Sequence, residues 1–224
     1  MTEPKHAPLG DDVPHDERGE LAHKLNNALA VILGNAQVAL IDANQPKLAE
    51  HLREIMAAAQ RARDLIRQVL TLPPPQHQSG THQLSLDELR VAASMRPAMQ
   101  VTRILYIDDE EPLVLLAVRH LKRLGYEVTG ATDAHEALEI FRRDPNGFAA
   151  VMTDLNMPSM SGLELAKVAL SIRADIPVIV TSGFVSDELR SKAEAAGVHH
   201  VVYKPSTVEE LANAVHQILT AEAK

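Results

Sequence analysis

The sequence predicts an α/β protein, a five-stranded parallel sheet covered by helices and preceded by an α-helical hairpin. Three observations predict it. From Thr102 onward, short apolar runs alternate five times with amphipathic helical stretches. Between Arg18 and Leu72, apolar residues recur at alternating spacings of three and four over two consecutive segments. Between these zones stands Pro73-Pro74-Pro75, followed by a stretch of Gln, His, Ser and Gly that marks a linker.

Composition sets the material for the core. The chain has 224 residues, 46% hydrophobic but only 3% aromatic, so aliphatic side chains and alanine must fill it. The net charge of -8, with no basic run, disfavours nucleic acid as a partner. There is no cysteine, which excludes disulfides and thiolate metal sites and fits a reducing, cytoplasmic setting. Met1 to Glu20 is rich in Pro, Asp, Glu and His and is neither a signal peptide nor an anchor. The apolar stretches Ala28 to Leu33 and Leu113 to Val118 are too short to cross a bilayer, so no membrane association is expected. Residues 1–17 are expected to form a flexible tail.

The helical zone spans residues 18–72. Its first helix carries Ala22, Leu25, Leu29, Ile32, Ala36 and Ala39. Its second carries Leu48, Leu52, Ile55, Ala59, Ala62, Ile66 and Val69. Each set is a narrow heptad stripe. Asp42-Ala-Asn-Gln-Pro46 breaks the pattern, with proline near the start of the second helix. A lone antiparallel hairpin buries little surface, so pairing of two copies into a four-helix bundle is expected. The alternative is a hairpin packed on the chain's own α/β domain. Residues 73–101 form the linker, within which Ser85 is placed to cap a short helix.

In the α/β zone the expected strands are Ile104 to Ile107, Val128 to Ala131, Ala149 to Met152, Val178 to Val180, and His200 to Tyr203. Helices are expected to start near Glu111, Asp133, Gly162, Ser186 and Thr207, with Gly125, Gly147 and Gly197 near helix ends. Short apolar strands separated by helices imply a parallel sheet buried on both faces. In such sheets the site lies at the carboxyl ends of the strands, where strand order reverses.

The reactive groups fall there. Asp108 and Asp109 follow the first run, Asp154 the third, Ser182 the fourth and Lys204 the fifth. Burying several carboxylates together is costly without a cation. Oxygen ligands with no His or Cys select a hard ion, and Mg²⁺ keeping several waters fits best. A carboxylate beside Mg²⁺ can attack phosphorus and form an aspartyl phosphate. The transferring group is strongly negative, and the Lys204 ammonium and Ser182 hydroxyl can meet its oxygens.

These residues carry a family resemblance. Tyr106-Ile-Asp108-Asp109-Glu110 resembles the acidic pair of two-component response-regulator receiver domains. Asp154-Leu-Asn-Met157-Pro158-Ser-Met160-Ser-Gly162 fits the pattern D-x-x-M-P-x-M-x-G. Thr181-Ser182-Gly183 fits the hydroxyl step and Tyr203-Lys204-Pro205 the lysine step. The resemblance covers residues 102–220 within a domain of residues 102–224. It implies a flavodoxin-like sheet in the order 2-1-3-4-5. It also implies Asp154 as phosphoacceptor, assisted by Ser182 and Lys204, and Mg²⁺ on Asp108, Asp109, Asp154 and the backbone carbonyl of Asn156. One departure stands out: Val201 occupies the position where many receivers carry Tyr or Phe. Tyr203, directly before Lys204, is expected to face elsewhere, so output through the last strand is expected to differ.

Leu21-Ala-His23-Lys-Leu-Asn-Asn27-Ala-Leu resembles the His box of the dimerising histidine phosphotransfer domains of sensor kinases. The resemblance implies His23 as an exposed phosphoryl acceptor beside the apolar stripe. Asn27, one turn on, lies on the same face and would orient water for hydrolysis of a receiver's phosphate. Kinases usually place Glu or Asp after the His, whereas this chain has Lys24. Residues 73–101 hold no glycine-rich nucleotide lid, and Gln83 to Arg90 only faintly resembles the entry to an ATP-binding domain. No ATP-dependent kinase activity is therefore expected. Among the 11 histidines, His6, His15, His77 and His82 show no converging spacing and read as solvated; His199 and His200 read as structural.

The expected function is two-component phosphorelay signalling by a cytoplasmic homodimer. A histidine kinase or phosphotransfer protein would phosphorylate Asp154, and His23 would pass phosphoryl groups to or from a receiver. Two alternatives stay open. One is a phosphorylation-dependent dimeric adaptor with inert His23. The other is a phosphatase or phosphate sink, with Asn27 positioning water. No DNA-binding segment follows the receiver, so output is expected through protein contacts.

Overall fold

A computed structural model describes residues 15–41, 45–69, 84–85, 88–89, 102–183, 185–198, 200–204 and 208–221. Two long helices open it, α1 (His15–Ile41) and α2 (Pro46–Val69). The α/β part then runs β1 (Arg103–Ile107), α3 (Glu111–Arg123), β2 (Glu127–Ala131), α4 (Ala134–Arg143), a 3₁₀ turn (Pro145–Gly147), β3 (Ala150–Asp154), α5 (Gly162–Ile172), β4 (Val178–Ser182), α6 (Asp187–Ala195), β5 (His200–Tyr203) and α7 (Val208–Ala221). All four strand pairings are parallel, in the order β2-β1-β3-β4-β5.

Period-two alternation divides the strands between two cores. Leu105, Ile107, Val151, Val178, Val180 and Val201 face one core, where α4, α5 and α6 supply Leu138, Phe141, Leu165 and Ala193. Ile104, Tyr106, Met152 and Ile179 face the other, covered by Leu121 of α3 and by Leu211 and Val215 of α7. Burial on both faces explains why β3 and β4 are buried throughout. The strands run longer than the apolar runs, and β3 and β4 end in Asp154 and Ser182, as expected.

Local chemistry sets the helix ends. Asp133 caps α4 by accepting from His135 N and Glu136 N. Ser161 and Glu164 form a reciprocal capping box on α5. Gly125 and Gly197 take φ of 81°, the left-handed region that ends a helix cheaply. Gly147 instead closes the 3₁₀ turn.

The linker region is partly structured on the sheet. Ser85 and Glu88 form the cap expected of Ser85, and Leu89 is buried in the α3–α7 core. Asn213 of α7 accepts from Leu84 N and donates to Leu84 O, both at 2.9 Å, as a neighbouring strand would. Most of the linker, residues 70–83 and 90–101, and the tail to residue 14 lie outside the described residues.

The hairpin forms as expected, but its buried face follows the heptad stripe only in part, at Ala36 and Ala59. Among the described side chains of α1 the buried ones are Asn27, Ala30, Leu33, Gly34, Ala36 and Gln37, whereas Leu25 and Ile32 are 42% and 45% exposed. The reason is a second partner. Besides α2, helix α1 packs on α3 of its own α/β domain, where Gly34 meets Leu116. That face takes a polar and a small residue, which a hydrophobic count passes over.

His120 of α3 is buried on the side facing Gly34. Burial, then the like charges of Arg123 and Arg119, lower its pKa from 6.5 to about 4. A depressed histidine contributes stability in full above its unfolded value and loses it as pH falls toward the folded one. Relative to the parent, His120→Leu should therefore lose less stability between pH 6.5 and about 4, measured by urea titration at each end.

Candidate functional site

Strand order reverses between β1 and β3, the position at which a parallel sheet of this kind places its site, at the carboxyl ends of the strands. Asp108, the residue after β1, is fully buried, and its Oδ1 accepts from Glu110 N at 3.1 Å. Asp154 ends β3 at 1% exposure. Asp109 stands beside them in solvent. One carboxylate oxygen from each of Asp108, Asp109 and Asp154 lies within 4.8 Å of the others.

Lys204 reaches this cluster from the end of β5. Its Nζ lies 2.8 Å from Asp108 Oδ2 and 3.2 Å from Asp154 Oδ2. Ser182, in register with Tyr203, is held by a bond from Lys204 N to its carbonyl at 2.7 Å. The structure thus brings together Asp108, Asp109, Asp154, Ser182 and Lys204 at one end of the sheet. Asn156 lies exposed two residues past Asp154.

Burial and mutual repulsion tune the acids. Desolvation pushes the Asp108 carboxyl up to about 6, with Asp154 adding to the rise and Lys204 opposing it. Asp154 is likewise raised, first by burial, with Lys204 opposing and Asp109 contributing. Burial works to lower Lys204, but the two aspartates overcome it and hold the ammonium above its usual value. Three carboxylates converge within 4.8 Å of one another and one ammonium pairs with two of them, which leaves an excess of negative charge. That donor set, all oxygen, fits a divalent hard cation.

The loop after Asp154 is fastened at both ends. Leu155 N donates to Thr181 O at 2.8 Å, and Gly162 N returns to Leu155 O at 2.9 Å. Ser159 Oγ donates to Asp133 Oδ2 at 2.9 Å, and Met157 is buried in the core. Gly162 shows why the motif ends in glycine. A Cβ there would stand 2.2 Å from the carbonyl oxygen of Asp154.

Two expectations are corrected. Tyr203 does not face away from Val201: two residues apart on one strand, both pack against the α4–α6 core. Asn27 does not lie on an open helix face: it is 1% exposed and its amide donates to the Glu110 carboxylate. The side chain of His23 lies outside the described residues, as do Pro205 and His199. Glu110 was not singled out from the sequence, although its place directly after two aspartates, at the start of a helix, was the available signal.

Fold and site together define a CheY-like protein with a receiver's acidic pocket. Residues 104–216 match the response regulator receiver domain, and the chain belongs to that family. Residues 19–77 match the His Kinase A (phospho-acceptor) domain. The response regulator receiver protein CpdR of Brucella abortus is 31% identical over 53% of this chain and 98% of its own length. The two-component response regulator ARR10 of Arabidopsis thaliana is 32% identical over 50% of this chain, but that match spans only 20% of the plant protein. Among solved structures, a response regulator receiver domain protein from Clostridium thermocellum is 28% identical with TM-score 0.51, covering 55% of this chain and 97% of its own. A CheY-like receiver from Methanospirillum hungatei is 27% identical with TM-score 0.51, covering 55% and 98%. A receiver domain joined to a His Kinase A domain is the make-up of two-component phosphorelay signalling.

Proposed function

We propose that Asp154 takes a phosphoryl group from a histidine kinase or phosphotransfer protein. The observation that carries this is the convergence of Asp108, Asp109 and Asp154 within 4.8 Å, with the Lys204 ammonium between the two buried acids. A carboxylate oxygen of Asp154 attacks phosphorus as the donor's P–N bond breaks, and the electron pair returns to the imidazole nitrogen, which takes up a proton. Lys204 and the Ser182 hydroxyl meet the phosphoryl oxygens. Asp108, Asp109, Asp154 and the Asn156 carbonyl would hold Mg²⁺, which supplies positive charge to the transferring group.

The hairpin would pair with a second copy and carry His23 as a phosphohistidine site. The exposed apolar residues Leu25, Ile32, Leu48 and Ile55 support pairing. The buried Asn27 counts against the phosphatase reading, because an amide committed to Glu110 is held away from solvent. A cytoplasmic setting is consistent with the described helices, none long and apolar enough to cross a membrane.

Incubation with acetyl phosphate and Mg²⁺, followed by mass mapping, is the test. Phosphate should appear on the Asp154 peptide and be lost in Asp154→Ala. Labelling that survives this substitution sinks the reading.

A further inference from the structure

An unbroken run of contacts leads from the acid cluster to the hairpin. Asp154 Oδ2 lies 3.2 Å from Lys204 Nζ, and Lys204 Nζ lies 2.8 Å from Asp108 Oδ2. The other oxygen of Asp108 accepts from Glu110 N at 3.1 Å. The Glu110 carboxylate accepts from the Asn27 amide on α1. Seven residues along α1, Gly34 is buried so closely on α3 that a Cβ would stand 2.3 Å from Leu116 Cδ2. A buried amide and a glycine, two helical turns apart, fit α1 to the helix that starts at the acidic loop.

We propose that α1 is the output partner of this receiver, and that phosphorylation in the pocket releases the hairpin from α3 of the same chain through Asp108, Glu110 and Asn27. The proposal rests on Asp154 being the phosphoacceptor. A cation drawn to Asp108, and a phosphoryl group drawing Lys204 away from it, both act on the carboxylate that holds Glu110 N–H. A shift of residues 108–110 takes the Glu110 acceptor from the Asn27 amide. A buried amide donor that loses an acceptor is penalised more than the bond itself was worth, so the docked state is the one that weakens. Once undocked, Asn27 bonds to water, and its face joins the exposed Leu25 and Ile32 as a surface for other contacts.

The chain has no cysteine, so disulfide trapping reports on docking without background. Gly34→Cys with Leu116→Cys puts a thiol on each side of the closest α1–α3 contact. The bridge should form within one chain, at a rate independent of protein concentration. Acetyl phosphate with Mg²⁺ should slow it about tenfold, the scale of losing one buried acceptor. The same pair in an Asp154→Ala background should stay fast. Hydrogen exchange on the cysteine-free chain gives a second reading: α1 and α3 should exchange faster once phosphorylated. Asn27→Asp sets carboxylate against carboxylate and should release the hairpin unaided. Adding Glu110→Gln should restore docking with the donor reversed. Bridges only between chains, or none, overturn the docking. An unchanged rate with Asp154 phosphorylated, or a failed rescue, overturns the route through Glu110. Absence of phosphate on Asp154 overturns the function beneath, while the concentration dependence still decides whether docking is within one chain.

Discussion

Gly162→Ala should destabilise the chain by about 2 kcal/mol or more, although alanine normally favours a helix over glycine by about 1 kcal/mol. Gly162 is the first residue of α5 and its N–H returns to Leu155 O. The added methyl would stand 2.2 Å from Asp154 O and 3.1 Å from Leu155 Cα. Both are backbone atoms of the strand end and cannot swing aside as a side chain would. Relief must come from moving the loop or β3, and either displaces Asp154. Urea unfolding should show the loss, and acetyl phosphate labelling should fall with it. Equal or higher stability in the variant would mean that the contact is not sterically closed.

Lys204→Met should have the second large effect, and its size should depend on pH. The ammonium sits almost wholly buried between Asp108 and Asp154. Removing it leaves two buried carboxylates without their cation, a change that typically costs about 3–5 kcal/mol. Asp108 already stands at about 6 in the folded chain, above its ordinary 3.8. An acid raised in this way favours folding when protonated, and that contribution is lost as pH rises through the folded value. Without Lys204 both acids rise further. The variant's deficit should therefore be large at pH 8 and shrink on acidification toward pH 5. Added Mg²⁺ should recover part of it at the higher pH. A deficit that is the same at both pH values would show that Lys204 acts by packing alone.

The sheet was legible because burial on both faces leaves strands as near-continuous apolar runs. Ile104 to Ile107 and Val178 to Val180 could be little else. The acid pocket was legible because its residues stand where those runs stop, and because four short motifs recur in order. The hairpin's buried face was legible only in part, at Ala36 and Ala59. A heptad count follows Leu25 and Ile32, but docking on α3 selects Asn27 and Gly34, whose value lies in a hydrogen bond and in the absence of a side chain. Tyr203 could have been placed correctly, since it stands two positions from Val201 and strand side chains alternate with period two. Asn213 carried a signal too, as a lone amide within the apolar run Leu211 to Val215.

The amide of Asn213 fixes Leu84 to the last helix, and Leu89 is anchored in the core beside it. What joins the hairpin to that anchor is then only residues 70–83, which reach at most about 50 Å when fully stretched. On so short a leash the two halves meet at an effective concentration in the millimolar range, far above ordinary cellular abundance. Whether they are together is thus set by the chemistry of their contact and not by how much of the protein the cell makes.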